Sequence, residues 1–259
     1  MSVFGALVQN SLKLRKHRPE RWRYAWRAYL ALAIVLGLGW YTWALLHGNV
    51  TSPFFFWYLP ALVFVGFWTG YSQIKREWRG GTAGWWLSLP YPRHWLLGAK
   101  LVAAGIRYLL VLVIGYVSTL ILFFEGIWLQ PNVWNGQMLL FTAVTLVKLL
   151  LFLLLGGPFF LTFGLALGVL QQTSWKVISP LFWLLYIAVA NVLMWKTFSS
   201  LNLDVNKADR SGFWMFVSGL VPQLHDIVTL SILMLLASLV LGGLLFWFAT
   251  RLLERHAEV

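Results

Sequence analysis

Of the chain's 259 residues, 60% are hydrophobic and only 11% charged, and its mean hydropathy is +0.74, where a soluble domain carries roughly 25% charged residues. This excludes an ordinary soluble domain and predicts an all-α integral membrane protein. The formal charge of +12 is therefore to be read by its location along the membrane, with lipid and not nucleic acid as the expected neighbour; the absence of cysteine excludes disulfides, thiolate metal sites and thiol catalysis.

Residues 1–27 set Val3, Phe4, Leu7, Val8, Leu12 and Leu14 beside Arg21, Arg23 and Arg27, with Trp22, Tyr24 and Trp26 interleaved. This pattern predicts an amphipathic helix in the inner headgroup layer. The alternative is a basic tail that only fixes orientation. The apolar run Val3 to Val8 is too short for a signal core and leads into Lys13, Arg15, Lys16 and Arg18, so it reads as a mature cytosolic segment.

Six apolar segments follow, at about 28–46, 54–72, 101–124, 138–170, 177–195 and 227–250, most of them near the roughly 20 residues a span requires. The basic residues divide unevenly across them. Seven Lys and Arg stand in the N-terminal segment, six between Lys75 and Arg107, one at Lys176 and two at Arg251 and Arg255; the opposite loops hold only Lys196, Lys207 and Arg210. The positive-inside rule then predicts six transmembrane helices with both termini cytosolic. The seventeen tryptophans fit that layout, with Trp22, Trp26, Trp78, Trp85, Trp86, Trp95 and Trp175 expected at the inner boundary and Trp43, Trp128, Trp134, Trp195 and Trp214 at the outer one.

Between the second and third segments lies a polar, basic loop, 73–100. Its core reads EWRGGTAGWWLSLPYPRHWLLGAK from Glu77 to Lys100. Thr82 is expected to cap a short helix, AGWWLSL, that stops at Pro90, and Pro92 to open the next helix, which feeds into the following span. Two helices and a Pro-Tyr-Pro elbow would make a rigid knob.

The fourth segment, 138–170, would be a helix of roughly 50 Å, and Gly156, Gly157 and Pro158 are expected to break or kink it, either for packing or as a moving hinge. Lys148 is the one charge clearly inside an apolar run. It is expected to face the translocation path, to pair with Glu125, or to snorkel to headgroups. Residues 196–226 form the one sizeable outer loop, where GFWMFVSGLVP is apolar but too short to cross and predicts a short interfacial or re-entrant helix. Asp226 then stands where the last helix needs an N-cap, although His225-Asp226 also suggests a proton site.

Several motifs are missing or incomplete. There is no G-x-x-x-x-G-K-[ST] phosphate loop, no H-E-x-x-H and no G-x-S-x-G. Asn202 to Gly212 lacks the glycine and terminal glutamate that a calcium loop needs, and Asn49-Val50-Thr51 is a sequon of a kind that often matches by chance. Five scattered histidines make no metal site. No catalytic residue is expected, and any ATP must be hydrolysed elsewhere.

The loop pattern of Glu77, Gly81, Thr82, Leu87, Leu89, Pro90, Arg93 and Lys100 resembles that of ABC-2 type membrane permeases. The resemblance implies one transmembrane domain over 1–259, with the N-terminal helix lying along the inner face. It also implies that the loop carries a coupling helix, with Glu77, Thr82, Trp85, Trp86, Leu87, Leu89, Pro90 and Arg93 as coupling residues that dock on a separate cytosolic ABC ATPase holding ATP and Mg. The expected assembly has a second permease chain, identical or different, in a bacterial inner membrane, and works as an exporter. An ion-coupled secondary transporter is the rival reading. It requires acidic residues near the bilayer midplane, where this chain shows none.

Overall fold

The structure, a computed structural model, describes residues 3–13, 29, 32, 36–47, 61–129, 136–199 and 213–256. The sequon at 49–51, the acidic turn at 202–212, Trp22, Trp26 and Trp134 lie outside these residues, as does the basic stretch 14–28. Every regular element among the described residues is helical: α1 (Val3–Lys13), a run over 36–46, α2 (Ala61–Arg79), α3 (Ala83–Ser88), α4 (Arg93–Leu129), α5 (Gly136–Leu170), a 3₁₀ turn (Ser174–Ile178), α6 (Ser179–Ser199) and α7 (Phe213–His256).

Three of these helices are long and apolar enough to cross a bilayer: α4, α5 over Thr142–Leu170, and α7 over Ser231–Arg255. They match the third, fourth and sixth expected segments. The first and second are described only in part, and α6 follows the fifth with 21 helical residues.

The α5 helix lies at the centre, packing most extensively on α2 and α7. Its apolar residues are spread around the whole helix, and a helix without a polar face has to be enclosed by other helices or by lipid. Against α2 the enclosure is very close. A Cβ built on Gly70 would lie 2.1 Å from the Leu161 carbonyl oxygen, and one on Gly164 would lie 2.0 Å from that of Phe67. Gly66 and Gly168 extend the same seam, so each helix brings a small-x-x-x-small pair that lets the two backbones touch. Next to the seam, the Phe67 ring stacks on Tyr186 at 4.3 Å, and the Tyr186 hydroxyl donates to the Val63 carbonyl at 3.1 Å, tying α6 to α2.

The helix that opens after Pro92 runs on through the third segment as α4, whose 37 residues extend about 55 Å. One expectation about a helix end is corrected: α7 runs unbroken from Phe213 to His256, so among the described residues the apolar stretch from Phe213 is continuous with the last helix, and Asp226 lies inside α7 instead of at its N-cap position. Gly219 and Pro222, residue types that disfavour a helix interior in water, lie within this unbroken helix.

Candidate functional site

The elbow begins where α2 stops. Gly81 has φ +67, a conformation glycine adopts without steric cost. The Thr82 amide donates to the Glu77 carbonyl at 3.0 Å, and the Gly81 amide donates to that of Trp78 at 3.2 Å. These two bonds form a Schellman ending with Gly81 as the left-handed residue. It turns the chain back so that Thr82 lies beside Glu77.

Thr82 does not cap α3 with its side chain, contrary to the expectation from sequence. Its backbone is in the right-handed helical region and its side chain makes no cap bond. The hydroxyl instead donates to Glu77 Oε2 at 2.5 Å, because the Schellman turn brings this carboxylate closer than the first amides of α3. The other oxygen, Glu77 Oε1, accepts from Lys100 Nζ of α4 in an ion pair whose two side chains are almost wholly buried. Lys100 Nζ also lies 4.7 Å from the centroid of the Trp86 ring, whose face attracts the cation. Trp78 meets Trp86 edge to face at 6.2 Å.

The far end of the knob is fixed by similar means. Arg93 Nη1 donates to the Leu87 carbonyl in the last turn of α3, where cations are favoured. Leu89 is extended, with ψ 138, as a residue preceding proline prefers to be. Glu77, Thr82, Trp86 and Arg93, with Lys100, are thus bound to one another or to the elbow backbone, while Leu87 is buried beneath them. Trp86 is 5% exposed and belongs to the core instead of the headgroup boundary; its neighbour Trp85 is 61% exposed.

The α1 helix closes one side of the elbow. Phe4 meets Trp95 edge to face at 6.2 Å, and Arg107 Nη2 donates to the Ser11 and Leu12 carbonyls at 2.8 and 3.1 Å, holding the C-terminal turn of α1 on α4. Leu7, Asn10 and Ser11 join Glu77, Trp85, Trp86 and Lys100 around a cleft of about 40 Å³. The packing of α1 on α4 is part of the site that sequence periodicity missed. Its one signal is Arg107, a cation just inside the third apolar segment.

The other sequence candidates lie apart from the elbow. Glu125, half-buried near the end of α4, accepts from Thr42 Oγ1 at 2.6 Å. Lys148 is half-buried on α5. Pro158 stands inside the unbroken α5, and nearby carbonyls are taken by neighbouring helices: Tyr108 Oη donates to Leu153 at 2.8 Å and Ser238 Oγ to Leu155 at 2.6 Å. A Cβ on Gly157 would meet the Tyr108 ring at 2.9 Å, and one on Gly156 would meet Met234 at 2.9 Å. Both glycines thus make room for side chains of α4 and α7. No cluster of metal-ligating side chains occurs among the described residues.

No curated protein and no solved structure matches the chain. A family model does, described as ABC-2 family transporter protein, and it spans residues 56–230. It thus includes the whole elbow, the α2–α5 seam and the Pro158 junction. With more than half of its length matched, the chain belongs to the ABC-2 type permeases.

Proposed function

We infer that this protein is the membrane permease subunit of an ABC exporter, working in a bacterial inner membrane with both termini cytosolic. It pairs with a second permease chain, and separate cytosolic ABC ATPase subunits bind ATP and Mg and hydrolyse the nucleotide. The observation that carries this reading is the elbow, where a six-residue helix is tied to α2 through Glu77 and Thr82 and to α4 through Arg93 and Lys100, while Trp85 is left outward. A large aromatic held out on a rigid mount suits a partner's groove. Closure of the ATPase pair on ATP would move α3, and α2 and α4 would follow because they share its polar contacts, which biases the cavity between permease chains. Lys148 and Glu125 are assigned to the translocation path, and Gly156, Gly157 and Pro158 to the joint in α5 that such motion would use.

The test is the affinity of the purified permease for its ATPase. Trp85→Ala is expected to weaken it by about 30-fold, the equivalent of about 2 kcal/mol for a buried aromatic anchor, with insertion and melting temperature unchanged. Wild-type affinity in a folded Trp85→Ala protein overturns docking at this face and leaves Trp85 as a headgroup anchor.

A further inference from the structure

On the opposite side of α2 from Glu77, a lysine is held by side chains that emerge from the core. Tyr71, 6% exposed, donates its hydroxyl hydrogen to Gln171 Oε1 at 2.6 Å and accepts from Lys75 Nζ at 2.8 Å. The ammonium also lies 4.8 Å from the centroid of the Tyr71 ring. Lys75 is therefore not a swinging surface charge. One of its protons is committed to a buried hydroxyl that is itself oriented by the Gln171 amide just past the end of α5, which leaves two N–H donors.

The depth of this site follows from two elements. The apolar stretch of α5 ends at Leu170, and Gln171 is the first residue of the turn beyond it. On α2 the adjacent polar residues Ser72 and Gln73 precede the first charge, Lys75. Both helices therefore leave the hydrocarbon where the Tyr71–Gln171 bond joins them. The following 3₁₀ turn carries an exposed cation, Lys176, between exposed Trp175 and Val177, at 44% and 82% exposure. An indole, a cation and an aliphatic side chain presented together suit headgroup depth.

We propose that Lys75, oriented by the Tyr71–Gln171 relay and supported by Lys176 and Trp175, forms a binding site for the phosphate headgroup of an anionic phospholipid. The leaflet is the one facing the Glu77–Lys100 elbow. The two remaining Lys75 donors match phosphate oxygens, and Lys176 adds a second positive charge in the field around them. Arg79 is exposed on the same helix end without such a relay, and it serves as the control for diffuse attraction.

The experiment uses the full-length protein in nanodiscs of phosphatidylethanolamine with phosphatidylglycerol at about a quarter of the lipid. Retained phosphatidylglycerol is counted by native mass spectrometry after release into detergent, and folding is checked by size exclusion. Lys75→Gln is expected to lower retention about fivefold, the worth of one lysine near an anionic surface. Tyr71→Phe, which keeps the ring and every charge, should lower it in the same direction, Lys75→Arg should restore it, and Arg79→Gln should leave it near wild type. Equal losses in Lys75→Gln and Arg79→Gln, or no loss in Tyr71→Phe, would replace the site with diffuse electrostatics and overturn the proposal. Millimolar inorganic phosphate distinguishes the source of the ligand. If it raises the melting temperature in a Lys75-dependent way while phosphatidylglycerol does not, the ligand is a soluble phosphate and the lipid assignment fails.

Discussion

At the elbow, α2, α3 and α4 are joined by charge and hydrogen bonds: a carboxylate shared by Thr82 and Lys100, a guanidinium on the Leu87 carbonyl, a cation over Trp86. At the α2–α5 seam a few turns away, the helices are joined by bare backbone, with Gly70 against Leu161 and Gly164 against Phe67. The surroundings account for the difference. Lipid tails are as apolar as leucine, so helices inside the hydrocarbon gain little by hiding apolar side chains from them and associate through close packing. Where α2 turns polar, water competes for every donor. Contacts there hold a fixed geometry only if they are desolvated, which Trp86, Leu87 and α1 accomplish for the Glu77–Lys100 pair. The seam sets the distance between helices, and the elbow sets their angle.

The largest effect should come from splitting the ion pair. Lys100→Met leaves the Glu77 carboxylate buried with only Thr82, and removing one partner of a buried pair costs about 3–5 kcal/mol. Replacing both partners, Glu77→Leu with Lys100→Met, should recover most of that stability, because the desolvation penalty goes with the charges. Melting temperatures of the three variants in detergent provide the check. If Lys100→Met melts like wild type, the elbow is held by something other than this pair.

The seam should respond to a single methyl group. Gly164→Ala places a Cβ 2.0 Å from the Phe67 carbonyl oxygen, so the backbones have to separate, and overpacking of that kind costs about 1–3 kcal/mol. Gly243→Ala on α7 is the matched control, since a Cβ there meets nothing within 4 Å; removing a helical glycine at that position should be neutral or stabilise by up to about 1 kcal/mol. Thermal melting in one detergent compares the two directly. Equal effects would show that the seam tolerates what its geometry forbids.

These two regions were not equally legible in the sequence. The elbow is announced by its punctuation, Gly81, Pro90 and Pro92, because these residues act on the chain locally. Its internal bonding is not, since Glu77 and Lys100 stand 23 residues apart and nothing local ties an acid to that particular lysine. For the same reason Thr82 reads as a cap when its hydroxyl serves Glu77, and the adjacent Trp85 and Trp86 read alike when one is exposed and the other is core. The seam is written as Gly66-Phe-Trp-Thr-Gly70 and Gly164-Leu-Ala-Leu-Gly168. The spacing is visible, but which helix each pair meets is a tertiary fact. Gly219 and Pro222 show the converse limit, because residues that break helices in water leave α7 continuous.

Lys148, half-buried on α5, probes a third setting, a charge carried within the apolar stretch and not at the seam or the elbow. Lys148→Leu is expected to alter transport of the native cargo while complex formation with the ATPase persists. Because a lysine within an apolar span costs about 2.5–3.5 kcal/mol on insertion scales, the leucine variant should insert at least as well as wild type. Unchanged transport would remove Lys148 from the translocation path and leave it as a snorkelling residue.

The smallest effect on stability belongs to the Pro158 junction, where the chemistries of the elbow and the seam meet. Gly156 and Gly157 admit side chains from α7 and α4 as the seam glycines admit backbone, while Tyr108 and Ser238 donate to α5 carbonyls much as Arg93 does at the elbow. Hydrogen bonds between membrane helices average only about 0.6 kcal/mol by double-mutant cycles, so Ser238→Ala and Tyr108→Phe should each shift melting by little. The two possible roles of the junction separate on function. If Gly156, Gly157 and Pro158 serve packing alone, both variants should transport at wild-type rates in proportion to their folded amount. If α5 bends there during the cycle, the hydroxyls hold one of two conformations, and a loss of about 0.6 kcal/mol from that state changes the balance between them by roughly threefold. Transport per folded molecule should then change by up to that factor while ATPase binding stays constant. Matched rates in both variants would assign the junction to packing, as the side of the seam where α5 is held by α4 and α7.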